Sequence, residues 1–271
     1  MATMKLKLQI VSDLHLEFRD PKKGYDFLKP CAPILVICGD ACVLGTAQDF
    51  KIYEKFIDHF YDKYEHIIHV PGNHEYYTNA SKTAKLRLSM KQIDEKMKEY
   101  SKWHPKLHYL SNSVFRLNVK NKLFYFIGTT MWTKIAKNEM EFIQESMNDY
   151  VYIAVDQEGG KRAFSPSDVV LIHRKACSFL KRAIDRAKTD GATAIVITHH
   201  KPYDSDEKGD LSKVYEVDMR KFMQDRVKLW CYGHTHSNDD RKINGTRIIS
   251  NPLGYPYQRD VGYKPGFCVD I

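Results

Sequence analysis

Apolar residues along this chain switch between strand-like and helix-like spacing. Positions 5–12 alternate basic and apolar side chains before running into "IVS", and "PILVIC" at 33–38 is a short continuous apolar run, the pattern of a strand covered on both faces. Between 48 and 63, Phe50, Ile52, Tyr53, Phe56, Ile57 and Phe60 recur at helical spacing. "HIIHV" after them is again strand-like, which predicts a strand, helix, strand order. Residues 82–103 read as one long charged helix. A β-rich stretch follows: "LHYL", then "VFRLNV" and "LFYFIGTT" paired across a turn at 120–122. Residues 138–155 are predicted helical and then irregular. Ser165, Pro166, Ser167 and Asp168 form a helix start, and 169–188 continues at helical spacing. "ATAIVIT" and "VKLWCYG" resume the strands, "RKINGTRIIS" is a hairpin turning at Asn244 and Gly245, and "GFCVDI" closes a sheet. No internal repeat and no linker rich in Pro, Gly or Ser divides these elements. The expectation is a single α/β domain over 1–271.

Composition adds little to that picture. A chain of 271 residues with 43% hydrophobic content can bury a full core. The net charge of +8 would suit an anionic partner such as a nucleotide, a nucleic acid or a membrane surface. The lysines are scattered, however, over polar stretches such as 82–98, where they solvate helix faces, and no compact basic stripe interleaves with aromatics. The six cysteines, at 31, 38, 42, 177, 231 and 268, form no CxxC pair and are expected to be reduced and mostly buried. The N-terminus lacks an apolar signal core, and no apolar run approaches the ~18 residues of a membrane span, so a cytoplasmic location without membrane contact is expected.

Chemistry gathers where the strand-like runs end. "LQIVS" is followed by Asp13 and His15, "LVICG" by Asp40, "IIHVPG" by Asn73 and His74, "AIVIT" by His199 and His200, and "LWCYG" by His234 and His236. Taken singly, each is an ordinary turn: Pro71 and Gly72 punctuate, and Asn73 is a common turn residue. Gly233-His234-Thr235-His236 is more specific, because alternate residues of an extended segment present both imidazoles to one point. Strand ends that converge on one sheet edge turn these singletons into a set. Mixed carboxylate, amide and imidazole donors without cysteine suit Mn²⁺, Zn²⁺ or Fe and argue against a closed structural zinc site. Two carboxylates do not neutralise two divalent ions, which leaves positive charge for phosphate oxygens and for lowering the pKa of a bound water.

In this order, "SDLH" at 12–15, "GD" at 39–40, "GNHE" at 72–75, "THH" at 198–200 and "GHTH" at 233–236 resemble the motif series of the calcineurin-like metallophosphoesterase superfamily. "GTTMWT", "MNDY", "FSP" and "NPLGYP" resemble a bacterial and phage-type branch of it. The resemblance implies a four-layer αββα sandwich with two mixed β-sheets. It implies one metal on Asp13, His15, Asp40 and His236 and a second on Asp40, Asn73, His199 and His234, with Asp40 bridging. His199 is preferred over its neighbour His200. The ions implied are Mn²⁺ foremost, with Zn²⁺, Fe or Ni²⁺ as alternatives. The reaction implied is in-line attack on phosphorus by a hydroxide between the metals, with His74 serving the leaving group and Glu75 or Asp13 supporting His74.

Such machinery handles a phosphoester without naming it, so substrate identity falls to the rim. Trp132, Asn148, Tyr150, His200, Tyr203, Tyr255 and Tyr257 are the candidate contacts, since aromatic side chains can stack a base. The expected reaction is hydrolysis of a phosphodiester in a nucleotide or similar small molecule, ahead of a phosphomonoesterase, then a nuclease, then a non-catalytic scaffold of the same fold.

Overall fold

A computed structural model describes residues 6–204, 211–223, 226–259 and 261–271; Lys5, at the start of the first expected strand, lies outside them. The described strands are β1 (Lys7–Val11), β2 (Ile34–Cys38), β3 (His66–Val70), β4 (Leu107–Tyr109), β5 (Ser113–Val119), β6 (Lys122–Thr129), β7 (Ala154–Gln157), β8 (Gly160–Ala163), β9 (Thr193–Thr198), β10 (Val227–Tyr232), β11 (Asp239–Ile243), β12 (Thr246–Ser250) and β13 (Cys268–Asp270). The α-helices are α1 (Ala47–Tyr61), α2 (Met90–Trp103), α3 (Met140–Ser146), α4 (Asp149–Tyr152), α5 (Pro166–Thr189) and α6 (Ser212–Tyr215). Among the described residues, one sheet runs β13-β1-β2-β3-β4 and another β11-β12-β10-β9-β6-β5. Strands β1 to β4 are mutually parallel, as are β6, β9, β10 and β12, while β13, β11 and β5 pair antiparallel at the margins.

Side-chain alternation builds the layers. Along β2, Ile34, Val36 and Cys38 join Leu8, Ile10, Ile68, Phe126, Ile195, Ile197 and Cys231 in the core between the two sheets. Leu35 and Ile37 point the other way and join Tyr53, Phe56, Ile57 and Phe60 of α1 and Ile93 and Met97 of α2. On the far side, Tyr125, Ile127, Ala194 and Val196 pack against Leu180, Ala183 and Ala187 of α5. The central strands of both sheets are thus covered on both faces, which is why they read as continuous apolar runs. Each fully buried Ile or Phe contributes ~1.5–3 kcal/mol of burial free energy. The result is the expected four layers, helix, sheet, sheet, helix. Among the described residues, no helix is long and apolar enough to cross a membrane.

Three local expectations need correction. Helix α2 begins at Met90, not at 82, because Ser89 accepts from the Gln92 amide at 3.3 Å while the Gln92 side chain accepts from Ser89 N at 3.0 Å. This reciprocal cap satisfies two orphan N–H donors and fixes the first turn. The stretch expected to be irregular before 155 leads instead into the antiparallel β7–β8 hairpin, turned at Gly159 with φ +75°. Finally, Cys31 and Cys268, 237 residues apart, are joined as a disulfide, whereas Cys38, Cys42, Cys177 and Cys231 are free. Pairing of β13 with β1 sets Cys268 opposite Gln9, whose side-chain oxygen accepts from Cys31 N at 3.1 Å. Sequence spacing carries no trace of that juxtaposition.

Candidate active site

The C-terminal ends of β1, β2, β3, β9 and β10 meet along one edge of the two facing sheets and deliver Asp13, His15, Asp40, Asn73, His74, His199, His200, His234 and His236 there. The backbone at this edge is unusual. Asp13, His15, Asp40, His234 and His236 all have positive φ, between 45° and 68°. Non-glycine residues adopt this region uncommonly and at an energetic cost, so five instances at one edge mark a shape imposed by the surrounding structure. Hydrogen bonds supply that imposition: Asp13 N donates to Gly39 O and His15 N to Asp40 O, each at 3.0 Å, lacing the β1 and β2 ends together. Gly72 is needed for contact, since a Cβ there would overlap Asp40 Oδ1, and Gly39 both for contact, since its Cβ would overlap His199 Nδ1, and for its φ of +85°.

Two donor groups result. In the first, His15 Nε2 and His236 Nε2 face each other at 3.1 Å, with Asp13 Oδ1 3.3 Å from His236 Nε2 and Asp40 Oδ2 3.8 Å from His15 Nε2. In the second, His199 Nε2 lies 3.1 Å from Asn73 Oδ1, 3.1 Å from His234 Nδ1 and 3.4 Å from Asp40 Oδ1. Asp40 stands between the groups and reaches both. Asp13, His15, Asp40, Asn73, His199, His234 and His236 are therefore brought together. His200 is not: its ring turns to the Thr130 carbonyl, with Nδ1 at 3.1 Å.

The remaining ring nitrogens decide which atoms are free to bind a cation. His15 Nδ1 donates to Glu17 at 3.2 Å, His236 Nδ1 to Gln258 Oε1 at 2.6 Å and His199 Nδ1 to the Cys38 carbonyl at 2.9 Å. Those acceptors place a proton on Nδ1 of each ring and turn Nε2 inward. Burial opposes charge on His199, but Asp40 outweighs it and raises that ring to about 9, so His199 stands as a cation between the carboxylates, the charge that a bound metal ion would supply instead. Asn73 is oriented likewise, its Nδ2 donating to Asp149 Oδ1 at 2.8 Å so that its oxygen faces His199. The inward ring nitrogens and the Asp13 and Asp40 carboxylates thus gather into two buried clusters of possible ligand atoms, with ring nitrogens 3.1 Å apart in each. The set fits divalent cations: oxygen and imidazole donors, fixed tautomers and buried carboxylates. Burial favours the neutral acid at Asp40, but His199 and His74 outweigh it and hold the carboxyl well below its usual range. Burial, with His200 and His199 beside it, keeps His234 well below the usual imidazole range and therefore neutral.

His74 stands beside these groups. Its backbone N donates to Asp40 Oδ1 at 2.9 Å, its Nδ1 lies 2.9 Å from Glu17 Oε1, and its Nε2 lies 3.3 Å from the Tyr255 hydroxyl. Burial opposes its charge, yet Asp40 and Glu17 outweigh burial and raise it to about 9, so the imidazolium is the neutral-pH form. The carboxylate supporting His74 is Glu17, and neither Glu75 nor Asp13 takes that place. Glu75 instead accepts from Gly72 N, Asp40 N, Ala41 N and His69 Nε2, at 2.6 to 3.0 Å, and ties the β2 and β3 loops together. Asp13 accepts from His234 N at 2.9 Å. Glu17 was missed because it follows the D-x-H triplet on a short 3-10 turn, 57 residues from His74; its signal was an acid amid the apolar "LEF".

The rim candidates divide. Trp132 and Tyr150 are buried in the helix-side core against Phe164, Trp132 also 5.3 Å from the His200 ring, and neither lines the cavity at the donors. Asn148, Tyr203 and Tyr255 line a cavity of about 600 Å³ that also touches Asp40, Asn73, His74, His234 and His236. Tyr255 reaches the site because Leu253 N and Gly254 N donate to Ser12 O and Asp13 O, each at 3.0 Å, which draws the loop after β12 across the β1 end. Its ring stacks on His15 at 4.2 Å. A second cavity, of about 800 Å³, is lined by His74 and Tyr255 together with Glu17, Phe18, Tyr152 and Tyr257.

With this geometry in hand, the known proteins that resemble the chain can be set beside it. The calcineurin-like phosphoesterase family model matches residues 6–238. The uncharacterized protein L509 of Acanthamoeba polyphaga mimivirus is 28% identical over 285 residues, covering 97% of this chain and 96% of that protein. The crystal structure of phosphopantetheinyl hydrolase from Mycobacterium tuberculosis superimposes with a TM-score of 0.66 at 16% identity, covering 92% of this chain and 90% of that one. The last of these shows a shared fold alone.

Proposed function

This chain belongs to the calcineurin-like phosphoesterase family, hydrolases of phosphoester bonds, and from that premise we propose that it cleaves a phosphodiester of a nucleotide or similar small molecule. Asp13, His15, Asp40 and His236 would hold one divalent ion and Asp40, Asn73, His199 and His234 another, Mn²⁺ foremost. When bound, such ions supply an activated water and positive charge for the phosphoryl oxygens. The chain's own residues do the rest. Asp149, Glu17, Gln258 and the Cys38 carbonyl orient the donors. Phosphorus gains a bond to the water oxygen and loses its bond to the leaving oxygen, which takes the proton from His74 Nε2, while the water's own proton passes to solvent. Glu17, 2.9 Å from His74 Nδ1, would keep that imidazole charged even where a cation held on Asp40 would cancel part of the Asp40 pull.

The observation that carries the diester reading is the pair of cavities meeting at His74, of about 600 and 800 Å³, which give room for a substituent on either side of the phosphorus. A monoester has only one. The test compares bis-p-nitrophenyl phosphate with p-nitrophenyl phosphate under added Mn²⁺. Higher kcat/KM for the diester is expected; faster monoester turnover would reverse the reading.

A further inference from the structure

We propose that the 800 Å³ cavity binds the leaving group of the substrate and selects one bearing an uncharged flat aromatic ring. The inference rests on the phosphoesterase reading above and deepens it by naming the leaving side. In an in-line displacement the leaving oxygen departs on the face opposite the attacking water, so the proton donor marks the leaving side. His74, Tyr77, Asn148 and Tyr255 line both cavities, so the two join along this set, with the proton donor among them. The 600 Å³ cavity also touches Asp40, Asn73, His234 and His236, whereas the lining of the 800 Å³ cavity, among the described residues, includes none of the seven candidate ligands. The donors hold the phosphoryl group, and the second cavity extends beyond it past His74.

Its walls state what it takes. Tyr257 is 78% exposed and stacks on Tyr255 with ring centroids 5.3 Å apart and planes 15° apart. Phe18 is 57% exposed and stands edge-on to Tyr255 at 5.7 Å. Tyr77 and Tyr152, stacked at 5.2 Å, also line it, and His74 stacks on Tyr77 at 4.3 Å. Exposed rings beside aligned rings gain burial when a further ring lies against them. The acidic and basic side chains in this lining are Glu17, Asp49 and His74, with no Lys or Arg among the described residues, so a second phosphate is disfavoured and an uncharged ring fits.

The experiment uses Mn²⁺-loaded full-length protein and a dinucleoside monophosphate, compared with counterparts that lack the base on the leaving or the retained nucleoside. The leaving alkoxide is the same throughout, so intrinsic reactivity is matched. Loss of the leaving-side base is expected to lower kcat/KM about tenfold or more, the scale of base–aromatic stacking, and loss of the other base to lower it less. In Phe18→Ala and Tyr257→Ala, whose side chains are exposed, the ratio of base-bearing to abasic kcat/KM should fall toward one. A parallel pair, benzyl and cyclohexylmethyl diesters, separates an aryl ring from a nucleobase: preference in either series supports an aromatic leaving group. Equal rates in both series overturn it. Adenosine binding to metal-free protein, read by tyrosine fluorescence, isolates the cavity: binding weakened in both variants while no ester is cleaved would sink the hydrolase reading and keep the cavity. Cleavage with no ring preference would do the reverse.

Discussion

Glu17→Gln probes the role of His74 with least disturbance. The substitution keeps the shape and an oxygen or amide at the same place, and it removes the charge that faces His74 Nδ1 at 2.9 Å and His15 Nδ1 at 3.2 Å. Burial works against that charge, but the hydrogen bonds from His15 and His74 outweigh it and hold Glu17 down to about 2, so the carboxylate is fully ionised at working pH. A hydrogen bond between two charged partners contributes ~1.5–3 kcal/mol, or about 10- to 100-fold in an equilibrium or rate. That factor falls on substrates according to their need for a proton. Methyl and nucleoside esters leave as strongly basic alkoxides and should lose about 10- to 100-fold in kcat. The p-nitrophenolate group leaves without protonation and should lose less than about threefold. The assay is therefore kcat across a series of leaving groups, with metal content measured by elemental analysis, because Glu17 also orients His15. Full metal content with an unequal loss across the series is the expected result. Equal losses across the series, at unchanged metal content, would refute the assignment of Glu17 as the group that positions and charges His74.

Other outcomes follow from the same geometry. His74→Asn should fold and bind metal as the parent does while losing ~10²–10⁴ in kcat for alkyl leaving groups; unchanged turnover would remove His74 from the chemistry. Asp149→Ala frees the Asn73 amide from its 2.8 Å acceptor and should raise the metal concentration for half-maximal activity about 10- to 100-fold, measured by titrating Mn²⁺ into chelated protein. Chelation of the parent should abolish activity, and Mn²⁺ at 100 times its Kd should restore it and add ~2.7 kcal/mol to unfolding stability, read by thermal denaturation. Away from the site, burial and then His66 depress His108 to about 4, below its ordinary 6.5. The unfolded chain therefore binds more protons in that window, and stability should fall as pH drops from about 6.5 to about 4; His108→Phe should flatten this slope in denaturant midpoints.

Local order along the chain was legible wherever one neighbour decided the outcome. Helix α5 opens at Ser165-Pro166 because Asp168 accepts from Ser165 N at 3.0 Å within the same turn, and the β11–β12 hairpin turns at Asn244-Gly245 because both residues tolerate positive φ. The start of α2 was legible in principle, since Ser89-x-x-Gln92 is itself a cap signal, but the charged run upstream looked equally helical. The positions of the candidate donors were legible for a related reason: each lies just past an apolar run, so where it falls depends on a strand end rather than on distant contacts.

Apolar periodicity in the chain thus placed the candidate donors at strand ends along one edge, and the motif resemblance, not periodicity, singled out seven of them from neighbours such as His74 and His200. Only the tertiary structure decided which acid serves His74, why Trp132 and Tyr150 lie in the core, that Cys31 meets Cys268, and that Tyr255 closes over His15. Those contacts join segments 14 to 240 residues apart, and the packing of the layers fixes each side chain's partner. Glu75 and Glu17 show the difference most clearly. Glu75 stands next to His74 in the chain yet turns to backbone amides of the β2 loop, and Glu17, from the end of β1, takes the position that adjacency had suggested for it.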